Sequence, residues 1–324
     1  MKFRPIGVVG DIGGTHSRFA LVDEAGHIRH PKAYEARDHA GLSEVLATYL
    51  EDMTPGRYPT LAVLAVAGPV VDGEIEFTNI DWRISEGELV GTFGFESARL
   101  LNDFAAQALA APVLEAADLR RLGPDLRGTD AAPVVVLGAG TGFGVGGLAR
   151  SSRGDIPIAA EGGHASFAPS DAVEDQVLAG LRTKYGRVSV ERILSGPGLF
   201  ELYQALGRQL DLPATLADER AVIGADRTGN PLVDQTLDRF CAILGTVAGD
   251  IALTYGARGG VYIAGGIGPR IADRLASGGF RSRFEAKGRL SDYMREIPTA
   301  LILHPYAALV GAARELKHME GRGL

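Results

Sequence analysis

The chain has 324 residues, 46% of them hydrophobic and 23% charged, which is typical of a globular protein with two domains. A net charge of −7 argues against nucleic acid as a main partner. The single cysteine, Cys241, excludes an internal disulfide or a zinc cluster and fits a reducing cytoplasm. No signal-peptide core follows the first residues, and no apolar run reaches the ~18 residues of a membrane span, so we expect a cytoplasmic protein with no membrane partner.

The first third of the chain alternates predicted strands and helices. An apolar strand over 6–11 leads through a Gly-Gly turn into a strand over 18–22, which predicts a β-hairpin. The next predicted elements are a helix over 42–50, a strand over 60–67, a helix opened by a capping box of Ser85 and Glu88, a strand over 99–101, and a helix from about 104 to Pro112.

The rest of the chain repeats the opening arrangement. The segment 112–133 is polar and is predicted to be an irregular crossover between domains. The elements predicted after it are strands over 134–137 and 145–148 around a glycine turn, helices over 172–185, 197–210 and 236–255, strands over 260–264 and 301–303, and a helix over 307–319. This alternation predicts an α/β protein, and the repeat suggests two related lobes that face one nucleotide. Cys241 fits the apolar pattern of the third helix and is expected in the core.

Glycine is the most distinctive residue type, with 44 residues, about twice the usual share of roughly 7%. In the first turn, Gly13 and Gly14 let the backbone approach phosphate oxygens, and Thr15 adds a hydroxyl donor. Asp11, at the end of the strand, is placed to hold the hydrated magnesium that accompanies a nucleotide. An ordinary Gly-Gly hairpin with a surface Asp is the alternative interpretation.

A second turn over 138–142 offers the same chemistry. No lysine follows it, so it is not a Walker P-loop. Residues 142–147 match Gly-x-Gly-x-x-Gly literally, but neither the helix nor the acidic residue of a dinucleotide site follows, which argues against a dehydrogenase. A third pair, Gly265 and Gly266, ends a strand and suits the adenosine; taken alone it is an ordinary strand-to-helix turn.

Polar residues at three further places suggest a sugar site. Asp103 follows Asn102 between a strand and a helix, where the helix N-terminus favours negative charge and a carboxylate can accept a proton from a hydroxyl. Glu161 and His164 offer an acceptor and a donor across two glycines, which suits a pair of sugar hydroxyls. Glu191 is a further candidate. Taken singly, each is as well explained by a helix cap or a surface residue.

Together these segments resemble the bacterial glucokinase family, in the non-zinc branch of the actin-like sugar-kinase superfamily. The matching pieces occur in family order at residues 10–15, 78–82, 101–104, 138–142, 161–164, 191–198, 260–267 and 284–289. The resemblance implies a two-lobed actin-like (ribonuclease H-like) α/β fold with a ligand cleft between the lobes. We expect the small lobe to comprise 1–112 plus 304–324, and the large lobe 113–303.

The resemblance also implies ATP-dependent phosphorylation of D-glucose to glucose 6-phosphate, with Asp103 as catalytic base. The substrate-binding residues that it implies are Asn79, Asn102, Asp103, Glu161, His164 and Glu191. The residues that it implies for the cofactors ATP and Mg²⁺ are Gly10, Asp11, Ile12, Gly13, Gly14, Thr15, Gly138, Gly140, Thr141, Gly142, Gly265 and Gly266, with Asp11 reaching the metal through water. His16 departs from the Asn expected after Thr15.

The expected partners are glucose and ATP, in a homodimer. Two other functions stay open from the residues: a kinase for another hexose, or a non-catalytic actin-like ATP switch, which needs no sugar-binding cluster. A nucleotide-free sugar-sensing regulator would need a DNA-binding segment, and no basic helix-turn-helix precedes residue 6.

Overall fold

A computed structural model describes residues 4–77, 80–152 and 154–321. The strands are β1 (Gly7–Ile12), β2 (His16–Val22), β3 (Ile28–Glu35), β4 (Leu61–Val66), β5 (Glu74–Glu76), β6 (Arg83–Ser85), β7 (Ser97–Asn102), β8 (Leu119–Arg121), β9 (Val134–Ala139), β10 (Phe143–Ala149), β11 (Ile156–Ala160), β12 (Gly260–Ala264) and β13 (Thr299–Ile302). The helices are α1 (Leu42–Met53), α2 (Glu86–Phe93), α3 (Asp103–Ala110), α4 (Ala172–Tyr185), α5 (Gly196–Leu210), α6 (Glu219–Gly224), α7 (Pro231–Tyr255), α8 (Ala272–Ser277), α9 (Gly279–Glu285), α10 (Ser291–Arg295) and α11 (Ala307–Gly321).

The described residues divide into two units. The first unit comprises those of Met1–Leu114, Pro157–Ala159 and His304–Leu324. The second comprises those of Glu115–Ile156 and Ala160–Leu303.

The sheet of the first unit has the strand order β3-β2-β1-β4-β7. β1 and β2 form an antiparallel hairpin, whereas β1, β4 and β7 run parallel. In this register Ile12 lies opposite Val66, and Val66 lies opposite Asn102. The first glycine turn and the start of α3 therefore leave the same edge of one sheet.

The sheet of the second unit has the order β11-β10-β9-β12-β13-β8. The hairpin of β9 and β10 is antiparallel, and β9, β12 and β13 run parallel. Gly138 lies opposite Ala264, so the turn after β9 and the glycines after β12 also share an edge. Each unit thus places its glycine loops at the carboxyl ends of parallel strands, the usual position of ligand sites in α/β proteins.

The residues that the hydrophobic pattern placed inside the protein are buried in the two cores. All six residues of β4 are buried, as a strand covered on both faces requires. Cys241 on α7 is 1% exposed, and burial raises the pKa of its thiol to about 12, so the prediction of a core residue is confirmed. No helix in the described ranges is both long and apolar enough to cross a membrane.

Several predicted elements are confirmed and others differ in extent. Of the predicted capping box of α2, the Ser85 half is confirmed, because its Oγ accepts a hydrogen bond from the Glu88 N–H at 3.1 Å. The Glu88 carboxylate instead accepts from the Ser43 hydroxyl at 3.1 Å. The prediction that α7 begins at 236 is wrong: the helix starts at Pro231, where Asn230 provides the N-cap. The prediction of an irregular segment over 112–133 is also wrong in part, since Leu119–Arg121 joins the sheet as β8.

Helix α11 is packed tightly against α3 in the first unit. A Cβ added at Gly311 would lie 1.7 Å from the carbonyl oxygen of Ala106. Arg314 donates to the carbonyl of Leu109 at 2.8 Å, and Arg99 forms an ion pair with Glu315, which is only 4% exposed. The last helix of the chain is therefore fixed beside the helix that Asp103 begins.

Gly311→Ala is expected to lower the free energy of unfolding by about 1–3 kcal/mol, because α11 must move away from a backbone carbonyl. Gly91→Ala is the matched control, since Gly91 lies in α2 of the same unit with nothing within 4 Å of the added Cβ. The control is expected to raise the free energy of unfolding by about 0.5–1 kcal/mol. Denaturant unfolding of both variants measures the difference, and equal stabilities would contradict the close packing of α11 on α3.

Candidate functional site

The first glycine turn joins β1 to β2. The Gly13 N–H donates to the carbonyl of His16 at 3.0 Å and closes the turn. A Cβ at Gly13 would meet nothing closer than 3.6 Å, and Thr15 is exposed. The turn therefore leaves its outer surface open to a ligand, as a phosphate-binding turn requires. The imidazole of His16, where Asn was expected, lies 3.0 Å from Glu35.

Gly10 and Ile12 lie within β1 rather than in the turn. A Cβ at Gly10 would lie 2.7 Å from the Leu64 side chain and 3.1 Å from that of Phe19. Ile12 is fully buried, and its carbonyl accepts a hydrogen bond from the Ala67 N–H at 3.0 Å. Core packing is thus sufficient to explain the residue types at both positions.

Asp11 is held by Arg18 on the neighbouring strand. The guanidinium donates to the carboxylate at 3.1 Å, and the Asp11 side chain is 22% exposed. Burial raises the pKa of Asp11 above its ordinary value, and Arg18 opposes this shift by favouring the ionised form. Sequence reasoning missed Arg18, although the hairpin register, in which Asp11 lies opposite Arg18, could have indicated the pair.

Asn102 and Asp103 occupy the first two positions of α3, the N-cap and the first helical residue. Asn102 is the N-cap: its Oδ1 accepts from the N–H groups of Phe104 and Ala105 at 3.0 and 3.1 Å. Its amide nitrogen donates to the carbonyl of Gly68 at 3.3 Å. Asp103 is the first helical residue, half-buried, with Oδ1 2.9 Å from the Phe104 nitrogen. The N-cap is therefore Asn102, and Asp103 begins the helix at the carboxyl end of β7.

The sheet register sets the spacing between Asp103 and the first glycine turn. Ile12 and Asn102 are aligned across β4, two strands apart. Adjacent strands lie about 4.8 Å apart, so the two positions are separated by roughly 10 Å along one edge. This spacing suits a turn that holds phosphates and a carboxylate that acts on the acceptor of the phosphoryl group.

In the second unit, β9 and β12 meet at very close range. A Cβ at Gly138 would lie 1.9 Å from the carbonyl oxygen of Ala264, and one at Gly265 would lie 2.4 Å from that of Ala139. Gly265 also has φ of 82°, which favours glycine. The Ile267 N–H donates to the carbonyl of Ala139 at 3.2 Å. These glycines are needed by the protein's own backbone, and they bring the two loops side by side.

Two other glycines of these loops have open space around them. The Gly140 N–H donates to the carbonyl of Gly142 at 2.8 Å, and a Cβ at Gly140 would meet only the Gly266 nitrogen, at 3.9 Å. A Cβ at Gly266 would have no neighbour within 4 Å. Thr141, at the tip of the turn, is exposed. The absence of side chains here leaves a cradle for a ligand, so these residues fit a bound nucleotide.

Glu161 and His164 face each other across a short 3₁₀ turn. Oε2 of Glu161 lies 3.8 Å from Nε2 of His164, and the side chains are 53% and 61% exposed. The turn is fixed from behind, because a Cβ at Gly163 would lie 2.1 Å from the carbonyl oxygen of Phe143. Neither side chain is needed by the core, so both are available to ligand hydroxyls.

Glu191 lies between this turn and the loop after β9. Its N–H donates to the carbonyl of Gly163 at 2.9 Å, and its Oε2 accepts from the Phe143 N–H at 2.9 Å. The second unit therefore brings together three predicted sugar-binding residues and the second glycine turn. Asn79 lies outside the described residues.

Metal binding by protein side chains alone is not indicated in the part of the chain that the structure describes, which holds no group of three or more His, Cys, Asp or Glu arranged for a metal ion. A magnesium ion carried by nucleotide phosphates needs only one or two carboxylates. Asp11, at the end of β1 beside the open turn, fits that requirement.

Known proteins resemble this chain along nearly its whole length. The family that matches, described as Glucokinase, aligns with residues 8–319. A curated glucokinase of Caulobacter vibrioides is 51% identical over 328 aligned positions, covering 98% of this chain and 96% of that protein.

Solved structures agree with the family match. A glucokinase from an Antarctic psychrotroph is 36% identical with a TM-score of 0.87, covering 96% of this chain and 98% of that one. A ROK family glucokinase from Streptomyces griseus, solved with glucose and AMPPNP, is 20% identical with a TM-score of 0.65 and covers 96% and 99%. The predicted fold class, the two-lobed actin-like fold of sugar kinases, is thereby confirmed.

The family match, the sequence identity and the coverage agree on one family. The chain belongs to the glucokinase family, the enzymes that phosphorylate D-glucose at the expense of ATP.

Proposed function

We propose that Asp103 is the general base of this ATP-dependent phosphorylation and that it acts on the 6-hydroxyl of D-glucose. The observation that carries the proposal is the position of Asp103 at the carboxyl end of β7, on the same sheet edge as the open turn after β1. The carboxylate accepts the hydroxyl proton as the sugar oxygen attacks the γ-phosphorus of ATP, and ADP leaves. Asn102, as the helix cap, fixes the backbone that carries Asp103.

The sugar-binding residues that we propose are Asn79, Asn102, Glu161, His164 and Glu191, together with Asp103. The exposed Glu161–His164 pair supports this assignment, because an acceptor and a donor at close range suit neighbouring hydroxyls. Asn102 would contribute an N–H of its side-chain nitrogen, which also donates to the Gly68 carbonyl, since its Oδ1 is committed to the cap. The Streptomyces griseus enzyme was solved with glucose bound, which supports a sugar site in the shared fold.

The nucleotide-binding residues that we propose lie in the glycine loops. Open backbone at Gly13, Gly140 and Gly266 provides space for phosphates and adenosine, and Thr15 and Thr141 add hydroxyl donors. Magnesium, held through water by Asp11, would offset the negative charge on the phosphoryl oxygens. Arg18 keeps the Asp11 carboxylate on the strand and favours its ionised form.

The lobe boundaries, the oligomeric state, the location and the absence of other partners are also proposals. We propose that the two units correspond to the small and large lobes expected at 1–112 plus 304–324 and at 113–303. A homodimer in the cytoplasm, with no nucleic acid or membrane partner, completes the proposal. Sedimentation analysis of the purified chain would measure its oligomeric state.

A coupled assay across several hexoses tests the function as a whole. D-Glucose is expected to give the highest kcat/KM, and ATP turnover is expected to depend on the sugar. A faster rate with another hexose would reassign the substrate. ATP turnover that is indifferent to every sugar would favour a non-catalytic switch.

Asp103→Asn is expected to lower kcat by a factor of about 10²–10⁴, because the amide keeps the size of the side chain but cannot take the proton. Thermal unfolding should show that the variant is folded. Turnover close to that of the wild type would remove Asp103 from the role of base.

Glu161→Gln and His164→Ala are each expected to weaken D-glucose binding by about 1–3 kcal/mol, since a hydroxyl or its partner loses a hydrogen bond. ATP binding measured without sugar should change little. Calorimetric titration with each ligand separates the two effects. An equal loss for both ligands would make the segment a structural support.

Gly14→Val and Gly140→Val are expected to abolish ATP binding while D-glucose binding persists, because a side chain would occupy the space proposed for phosphates. Calorimetry with glucose alone serves as the control for folding. Retained ATP affinity in both variants would show that the phosphates bind elsewhere.

A further inference from the structure

Glu191 contacts two parts of the proposed site at once. Residues 163–167 and 188–191 run side by side, with hydrogen bonds of 2.9 Å from the Glu191 N–H to the Gly163 carbonyl and from the Val190 N–H to the Ala165 carbonyl. Its backbone is therefore fixed to the segment that carries Glu161 and His164.

The side chain of Glu191 reaches in the other direction, to the loop after β9. Its Oε2 accepts from the Phe143 N–H at 2.9 Å. The same oxygen lies 2.5 Å from where a Cβ of Gly142 would be, so the carboxylate occupies the place of a missing side chain. A hydrogen bond to an ionised acceptor is roughly twice as strong as one between neutral groups, so this contact is well suited to hold the loop.

The loop that Glu191 holds is closed by two further bonds. The Gly140 N–H donates to the Gly142 carbonyl at 2.8 Å, and the Gly196 N–H donates to the Gly140 carbonyl at 2.8 Å. Displacement of Glu191 would release Phe143 and so loosen the end of the turn that faces the proposed phosphates. Within the described residues, the structure gives Oε1 of Glu191 no hydrogen bond, which leaves this oxygen available to a sugar hydroxyl.

We infer that Glu191 is a positioning residue that couples glucose binding to the nucleotide loop. The inference rests on the proposed function. One carboxylate oxygen fixes the loop through Phe143 while the other binds glucose, so each ligand stabilises the arrangement that the other needs. Such coupling is reciprocal: glucose raises the affinity for nucleotide by the factor by which nucleotide raises the affinity for glucose.

The first experiment changes the nucleotide loop and measures the sugar. Gly142→Ala puts a methyl group against Oε2 of Glu191, whereas Gly140→Ala, on the same turn, meets no atom closer than 3.9 Å. Calorimetric titration with D-glucose, in the absence of nucleotide, is expected to give a Kd about tenfold or more higher for Gly142→Ala, as the loss of a bond to a charged group predicts. Gly140→Ala is expected to stay within about twofold of the wild type on the same scale.

The second experiment changes the sugar residues and measures the nucleotide. Glu191→Ala is expected to weaken binding of Mg²⁺-AMPPNP, without sugar, by about fivefold or more, the lower end of usual coupling factors. His164→Ala removes a proposed sugar contact whose side chain pairs only with Glu161 in the described structure, so it should leave this affinity within about twofold.

The outcomes distinguish a failure of the coupling role of Glu191 from a failure of the proposed function. If the wild type does not bind D-glucose, the proposed function fails. If it does, and Gly142→Ala binds D-glucose as Gly140→Ala does, the coupling role is overturned while the function stands. Should Glu191→Ala not fold, Gly142→Ala alone decides, because it leaves Glu191 in place.

Discussion

The carboxyl ends of β9 and β12 approach so closely that their backbones leave no room for side chains, and the second unit's part of the site depends on this contact. A Cβ at Gly138 would lie 1.9 Å from the Ala264 carbonyl oxygen. The parallel pairing that creates this contact also sets the turn over 140–142 beside Gly265 and Gly266. The open cradle is therefore a consequence of how the strands pack.

In the first unit, too, the pairing of parallel strands sets the positions of the loops. Its parallel strands align the end of β1 with the end of β7, and Asn102 caps the helix that starts there. Strand register, rather than any single loop, sets the separation of roughly 10 Å between the first glycine turn and Asp103. The turn proposed for phosphates and the proposed base are held by one sheet, so they need little reorganisation when substrates bind, which is the basis of catalysis by preorganised groups.

Much of this arrangement could be predicted from the sequence, because the signals are local. Two strand–glycine–strand segments predict hairpins, and the capping box of Ser85 and Glu88 predicts the start of α2. The start of α7 could have been predicted as well, because Asn230 and Pro231 are a typical N-cap and first helical residue directly before the buried Leu232 and Val233. β8 was missed because three residues give no periodicity, and only pairing with β13 makes them a strand.

The sequence could not show which glycines are required by close packing and which have open space around them, because this depends on contacts distant in sequence. Gly10 and Gly138 are required by neighbours on other strands, whereas Gly140 and Gly266 have open space. The bond from Phe143 to Glu191 likewise joins residues 48 positions apart, and no spacing in the sequence reveals it. The family resemblance identified Glu191 as a candidate sugar-binding residue, but it gave no indication of the hydrogen bond to Phe143.

The position of glucose relative to Asp103 is the most direct test of this account. A crystal structure of the wild-type chain with D-glucose and Mg²⁺-AMPPNP would measure it. The account predicts the 6-hydroxyl oxygen within about 2.6–3.2 Å of an Asp103 carboxylate oxygen, the range for proton transfer to a general base. Glucose bound with its 6-hydroxyl directed away from Asp103 and towards another carboxylate would contradict it.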